Sequence, residues 1–263
     1  MMRKPGMDLT GLDLTQPNSA RVHDYILGGA HNFEVDRRTG DEILLENPWL
    51  AEALREDRHF LRRAVRHLCA GGVRQFIDIG SGLPTTGNVH EIAQQTAEDA
   101  VVVYVDIDPL VVAHSLELLA DNPRATAILG DVRESRRILA DPTVNALLDF
   151  EQPIGVILGG VLHFIPGDVE RALEPLRNAM APGSHLVITH AGTTNAVRFG
   201  ALLRSSRPSI TVRDSDEILA MIQGLTLVEP GVVPVPLWCP EQPGRTLESA
   251  PPALSIACVA RRD

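Results

Sequence analysis

The 263-residue sequence predicts an α/β fold, a doubly wound sheet of seven strands, mostly parallel with an antiparallel last strand, behind an N-terminal helical cap. Three patterns predict it. From Arg74 onward, short apolar runs alternate with amphipathic stretches, the arrangement of strands joined by crossover helices. Ahead of Arg74 the apolar residues recur at threes, fours and sevens, which is the helical period. Near the end, two apolar runs are separated only by the loop 236–252, and strands joined without a crossover must pair antiparallel.

Residues 1–17, broken by Pro5, Gly6, Gly11 and Pro17, read as a mobile lead-in, 18–72 as the cap and 73–263 as the sheet domain. Asn18 or Ser19 can cap a helix over 20–27, which Gly28-Gly29 stops. A second helix is expected over 35–46. Between Pro48 and Cys69 the residues Leu50, Leu54, Leu61, Val65 and Leu68 form one apolar stripe on a long helix, closed by Gly71-Gly72. Strands are expected at 75–79, 101–105, 126–129, 155–158 and 185–189. The helices between them fall at 89–98, 110–120, 133–140 and 168–180, the last with Asp168 as a candidate N-cap. A helix over 215–223, a strand over 225–235 interrupted by Pro230-Gly231, and a strand over 254–260 complete the chain.

Composition narrows the function. A formal charge of −10, with acidic residues dispersed along the chain, supplies no basic surface for nucleic acid or an anionic membrane, so a small-molecule substrate is favoured. Cys69, Cys239 and Cys258 are odd in number and lack metal-ligand spacing, which argues against a disulfide framework and a structural zinc site. With no apolar leader segment in 1–10 and no membrane-length apolar run, a cytoplasmic protein is expected. Lys4 is the only lysine, which removes Schiff-base, Walker-type and Tyr-x-x-x-Lys chemistry together.

The most informative stretch is Phe76-Ile77-Asp78-Ile79-Gly80-Ser81-Gly82, an apolar strand that runs into two glycines one residue apart. Such a turn brings bare backbone against a nucleoside. A dinucleotide turn would place a third glycine where Thr85 stands, and Pro84 has no N–H to offer a phosphate. The turn therefore suits a nucleoside without a diphosphate, and S-adenosyl-L-methionine is the commonest such ligand. Two more carboxylates close the following strands, Asp106 before Ile107 and Asp131 before Val132. Asp106 is placed to accept both ribose hydroxyls, Asp131 the adenine amino group, and Asp78 the ligand's ammonium. For each one alone, helix capping is the alternative; three at successive strand ends favour the site.

The glycine motif, the acidic residues after strands two and three, and the late hairpin together resemble the class I S-adenosylmethionine-dependent methyltransferases, which implies a Rossmann-like sheet. More narrowly, Pro17-Asn18-Ser19-Ala20-Arg21-Val22-His23-Asp24-Tyr25-Ile26-Leu27-Gly28-Gly29, followed by Asn32-Phe33 and Asp36-Arg37, is similar to the N-terminal signature of an actinobacterial methyltransferase family long filed as a domain of unknown function. The resemblance implies methyl transfer to an acceptor it does not name. It also implies a lid in which Arg21 meets the cofactor carboxylate, Tyr25 covers the pocket, Gly28-Gly29 hinge, and His31, Asn32 and Phe33 stand near the mouth. The alternatives are a solvated Arg21–Asp24 pair and a simple helix stop at Gly28. If the acceptor loses a proton, His163, after Gly159-Gly160, is the first candidate base and His190 the second, against the ordinary reading of each as a structural histidine. Gly159 and Gly160 would lie over the methionine moiety. Trp49 and Trp238 can shape an acceptor pocket, with core packing the alternative for Trp49. Two other functions stay open: a nucleoside-binding regulatory protein without turnover, and a nicotinamide-dependent oxidoreductase.

Overall fold

The computed structural model describes residues 15–83, 87–192, 209–239, 241, 244, 246, 248–251 and 253–263. The lead-in up to residue 14 and the turn at Pro84 and Thr85 lie outside the described residues.

The cap is α1 (Ser19–Ile26), α2 (Glu34–Glu46) and α3 (Leu50–Ala70). Asn18 caps α1, its Oδ1 accepting from the amides of Ala20 and Arg21, and the chain leaves the helix through Gly28 at φ +85°. Asp36, fully buried, then fastens α2 to α1: its carboxylate accepts from Arg21 Nε at 2.7 Å and from the amides of Asn18 and Phe33, both at 2.9 Å. Val22, Ile26, Leu50, Ala53 and Leu54 close a small core with Leu254.

The sheet contains β1 (Gln75–Ile79), β2 (Val101–Asp106), β3 (Ala125–Leu129), β4 (Ile154–Gly159), β5 (His185–Ala191), β6 (Thr226–Leu227), β7 (Val233–Pro234) and β8 (Ser255–Arg261). Their order is β3-β2-β1-β4-β5-β8-β6, with β7 also paired to β8. β1 to β5 run parallel and β8 antiparallel to β5. Eight strands thus stand among the described residues where seven were expected. The run 225–235 divides because Pro230 has no amide to offer a ladder and Gly231 turns the chain at φ +94°, so two short strands pair separately with β8.

The crossovers are α4 (Val89–Thr96), α5 (Pro109–Leu118), α6 (Ser135–Leu139), α7 (Pro142–Leu147), α8 (Glu170–Ala179) and α9 (Ser215–Met221). Helix α7 was not expected, although Asp141 at its N-cap and Pro142 at its first position are a recognised start signal. Asp168 serves the start of α8 through its Oδ1, which accepts from the Glu170 amide at 2.8 Å. One sheet face carries Ile77, Val103, Val156 and Ile188 under α6 to α9, and the other carries Phe76, Val102, Ile157 and Val187 under α3 to α5.

The direction of α3 decides what reaches the site. A Cβ added to Gly155, near the start of β4, would lie 3.0 Å from Leu68, and one added to Gly159, at its end, 3.5 Å from Leu61. Helix α3 therefore runs against the strands, and Asp57 and Arg58 stand one turn beyond Leu61. At about 1.5 Å per residue, that puts them roughly 5–6 Å past the carboxyl end of the sheet.

Candidate functional site

The strand order reverses between β1 and β4, and ligands of open α/β sheets bind outside the carboxyl ends of the strands at such a point. The loop after β1 is folded into that crevice. Gly80 and Gly82 take φ of +76° and +65°, a left-handed backbone that side chains rarely adopt, and a Cβ on Gly80 would meet Val161 Cγ2 at 2.5 Å. The Gly80 and Ser81 amides donate to the Val105 carbonyl, and the Gly82 amide donates to Asp106 Oδ2 at 2.8 Å. Asp106 Oδ1 accepts from the Asp108 amide at 2.9 Å. Each Asp106 oxygen keeps a lone pair for a further donor. Burial raises its pKa, partly opposed by these amides. Beside it Ile107 is 60% exposed, an apolar surface at the crevice edge.

A cleft of about 320 Å³ opens next to Ile107, lined also by Gln16, Pro17, Asn18, Arg21, Asp108 and Leu110. The cap borders it through Asn18, whose Nδ2 donates to Asp108 Oδ2 at 2.7 Å, and Asp108 Oδ1 caps α5. His31 packs edge-on against His114 of α5, with ring centroids 4.7 Å apart.

Deeper, a gap of about 10 Å³ is bordered by Arg58, Asp78, Ser81 and Gly82. Burial pushes Asp78 up to about 7; Arg58 opposes the rise and Asp106 adds to it. Burial also lowers the pKa of Arg58, against the attraction of Asp78, Tyr104, Asp57 and Asp24. Among the described residues, none of these carboxylates pairs directly with its guanidinium. Asp57 is likewise pushed up to about 7, chiefly by burial; its Oδ2 accepts from Ser255 Oγ at 2.9 Å, and its buried Oδ1 has no partner among the described residues.

Above β4 and β5, Gly159 and Gly160 lead into the buried His163, whose Nδ1 has no partner among the described residues. Burial, with His190, Arg213 and His23 nearby, lowers its pKa to about 3, so its ring is neutral and a weak proton acceptor. His190 is saturated: Nδ1–H donates to the Ala191 carbonyl at 2.9 Å, and Nε2 accepts from Arg213 Nη1 at 2.7 Å. Arg213 also donates to the carbonyls of Leu162, Ile165 and Gly167, which identifies His190 as structural.

Asp78, Gly80, Ser81, Gly82, Asp106, Ile107 and Gly159 are brought together at the crevice. The others are held by partners within the protein or lie away from the crevice. Asp131 is held in a bidentate pair with Arg133 and caps the 3₁₀ turn Val132–Glu134, while Val132 is buried in the core. Arg21 is bound to Asp36 and the Gln16 carbonyl and lies over the Phe33 ring, so its charge is already matched. Tyr25 packs on Gly40 and donates to Asp41 Oδ1 at 2.6 Å, at the surface of the cap. Asp24 pairs not with Arg21 but with the His31 amide and the Asn32 side chain. Trp238 is fully buried against Phe60 and His67, in the core rather than at an acceptor pocket, and Trp49 packs on the cap core.

Asp57 and Arg58 were missed. The signal was present: they fall three and four positions from both Leu54 and Leu61, on the stripe read as apolar. Among the described residues no cluster of His, Cys, Asp or Glu is placed to hold a metal, and no helix is long and apolar enough to cross a membrane.

No curated protein matches the chain. Among solved structures, a protein of Thermobifida fusca superposes with a TM-score of 0.89 at 40% identity, over 98% of this chain and 99% of that one. A DUF574-family protein of Streptomyces avermitilis superposes with a TM-score of 0.88 at 33% identity, over 95% and 99%. The N-methyltransferase NodS of Bradyrhizobium japonicum, in complex with S-adenosyl-L-homocysteine, shares the fold with a TM-score of 0.50 at 15% identity, over 92% and 98%. The profile of one family, S-adenosyl methyltransferase, matches residues 6–263. The chain therefore belongs to the S-adenosyl methyltransferase family, and its cofactor is S-adenosyl-L-methionine.

Proposed function

We propose that this enzyme transfers a methyl group in line to a small-molecule acceptor in the cytoplasm of an actinobacterium, with the cofactor in the crevice between β1 and β4. The observation that carries the placement is the set of unfilled partners there. Gly80 and Gly82 present bare backbone, Asp106 has lone pairs to spare, Ile107 offers an exposed apolar face, and the Asp78 carboxyl and Arg58 guanidinium share no direct hydrogen bond among the described residues. These fit an adenosyl amino acid group by group: Ile107 against the adenine, Asp106 on the ribose hydroxyls, Asp78 on the ammonium and Arg58 on the carboxylate. Arg58 takes the role expected of Arg21.

When bound, the cofactor supplies a methyl group already activated by its sulfonium. The chain's own residues then hold two reactants in alignment and keep water out. The cap (18–72) acts as a lid on the transferase domain (73–263), hinged at Gly28 and latched by Asn18 on Asp108. The gap at Arg58 admits about one water, so binding widens it. Thr85 in place of a third glycine disfavours a dinucleotide.

Calorimetric titration with S-adenosylhomocysteine tests the placement. The wild-type protein is expected to bind it, and Asp106→Ala to bind it more weakly by about 1–3 kcal/mol through loss of the ribose contacts. Unchanged affinity in a folded Asp106→Ala protein contradicts the assignment.

A second result follows from Asp78. With its pKa near 7 in the ligand-free protein, the carboxyl is partly protonated at neutral pH. An ammonium placed against it favours the ionised form, so binding should release protons near pH 7 and release fewer as pH rises and the group is already ionised. Titrations in buffers of different ionisation enthalpy measure the release, and Asp78→Asn should remove most of it. Proton uptake would place the ammonium elsewhere.

A further inference from the structure

Six buried side-chain polar atoms have no partner among the described residues, and two of the six are Asp57 Oδ1 and His163 Nδ1. Both belong to the carboxyl ends of β4 and β5. Asp57 is tied by Ser255 Oγ to the start of β8, and Ser255 is in register with Ala191, the last residue of β5. One turn along α3, Leu61 packs at Gly159, the last residue of β4. His163 follows β4, held by the Thr211 amide on its own carbonyl at 2.7 Å, with its ring 5.8 Å from that of His190 on β5. An orphaned buried carboxylate oxygen is costly and calls for an explanation. Asp57 is also the immediate neighbour of Arg58, so acceptor side and cofactor side meet on one helical turn.

We infer that Asp57 is the catalytic base and that the acceptor is a protic nucleophile, a hydroxyl or an amine, held between Asp57 and His163. The inference rests on the methyltransferase reading of this site. A hydroxyl or amine brings the hydrogen-bond donor that Asp57 Oδ1 lacks, and a neutral imidazole completes its hydrogen bonding without competing for the proton. In the reaction the acceptor's lone pair forms the bond to the methyl carbon, the carbon–sulfur bond breaks with its electrons left on sulfur, and the acceptor's proton passes to the Asp57 carboxylate and on to solvent. The groups facing Asp57 are Arg58 and Glu56 on its own helix and Ser255 on β8, and together with burial they leave its pKa near 7, in the range a base needs at neutral pH. His163, ringed by His190, Arg213 and His23, is disfavoured as an imidazolium.

The test needs no knowledge of the acceptor. Sinefungin, in which an amine-bearing carbon replaces the methylsulfonium, puts an ammonium where the methyl group stands and so reports on the acceptor side, whereas S-adenosylhomocysteine does not. Calorimetry on full-length wild type and Asp57→Asn, an isosteric change, is expected to show S-adenosylhomocysteine affinity within about twofold. Sinefungin affinity should fall at least about tenfold, the weight of one charge-assisted hydrogen bond. Retained S-adenosylhomocysteine binding also certifies the fold of the variant. Equal loss for both ligands, or loss for neither, overturns the assignment of Asp57. Failure of the wild type to bind either ligand overturns the cofactor placement, and the inference with it.

Discussion

Asp36→Ala is expected to lower the stability of the protein by about 3–5 kcal/mol, the cost of leaving a buried charge without its partner. Arg21 is 4% exposed, and its Nε–H would then face a cavity in place of a carboxylate. The amides of Asn18 and Phe33 lose their acceptor in the same step. The Gln16 carbonyl and the Phe33 ring keep part of the Arg21 guanidinium satisfied, which bounds the loss. The cause can be separated from mere loss of packing. The double variant Arg21→Met, Asp36→Leu removes both charges, and it should recover part of the stability because no lone charge remains, although the Asn18 and Phe33 amides still lack their acceptor. Urea unfolding of the three proteins measures both effects. A loss under about 1 kcal/mol for Asp36→Ala would mean that α1 and α2 do not depend on this pair.

The second large effect is on binding. Arg58→Ala should weaken S-adenosylhomocysteine by about 1.5–3 kcal/mol, the range for hydrogen bonds to a charged group. It should leave 5′-methylthioadenosine, which lacks the amino-acid end, nearly unchanged. The ligand-free variant should be no less stable than wild type, since the residue removed is a desolvated cation that no described carboxylate pairs directly. A residue whose removal preserves stability while weakening one end of one ligand is a binding residue. If Arg58→Ala weakened both ligands equally, Arg58 would be a support for the loop after β1 instead.

The strands were legible because each is a short apolar run ended by a turn residue, and β1 spans the residues expected of it. The boundary between β6 and β7 was harder, because an interruption at Pro230-Gly231 reads alike whether the strand bends or divides. At the site, Asp78 and Asp106 were readable since a carboxylate at a parallel strand end has few other places to point. Asp131 looked equivalent in sequence, but Arg133 two residues on takes its carboxylate, and a two-residue offset does not announce a chelated pair. Arg21 was given to the ligand by the family resemblance, and its pairing with Asp36, 15 residues away, is one that only the packing of α1 on α2 creates. Asp57 and Arg58 were hidden for the opposite reason. A helical stripe is read by its apolar majority, and two charged residues on it pass as exceptions until the direction of α3 brings them over the sheet end.

The cofactor placement depends most on Arg58 and Asp106 gripping opposite ends of one ligand. A crystal structure of the protein with S-adenosylhomocysteine measures this directly. The ligand carboxylate should lie within hydrogen-bond distance of the Arg58 guanidinium, with both ribose hydroxyls on Asp106. A ligand whose carboxylate reaches Arg21 instead, or whose ribose lies away from Asp106, would contradict it.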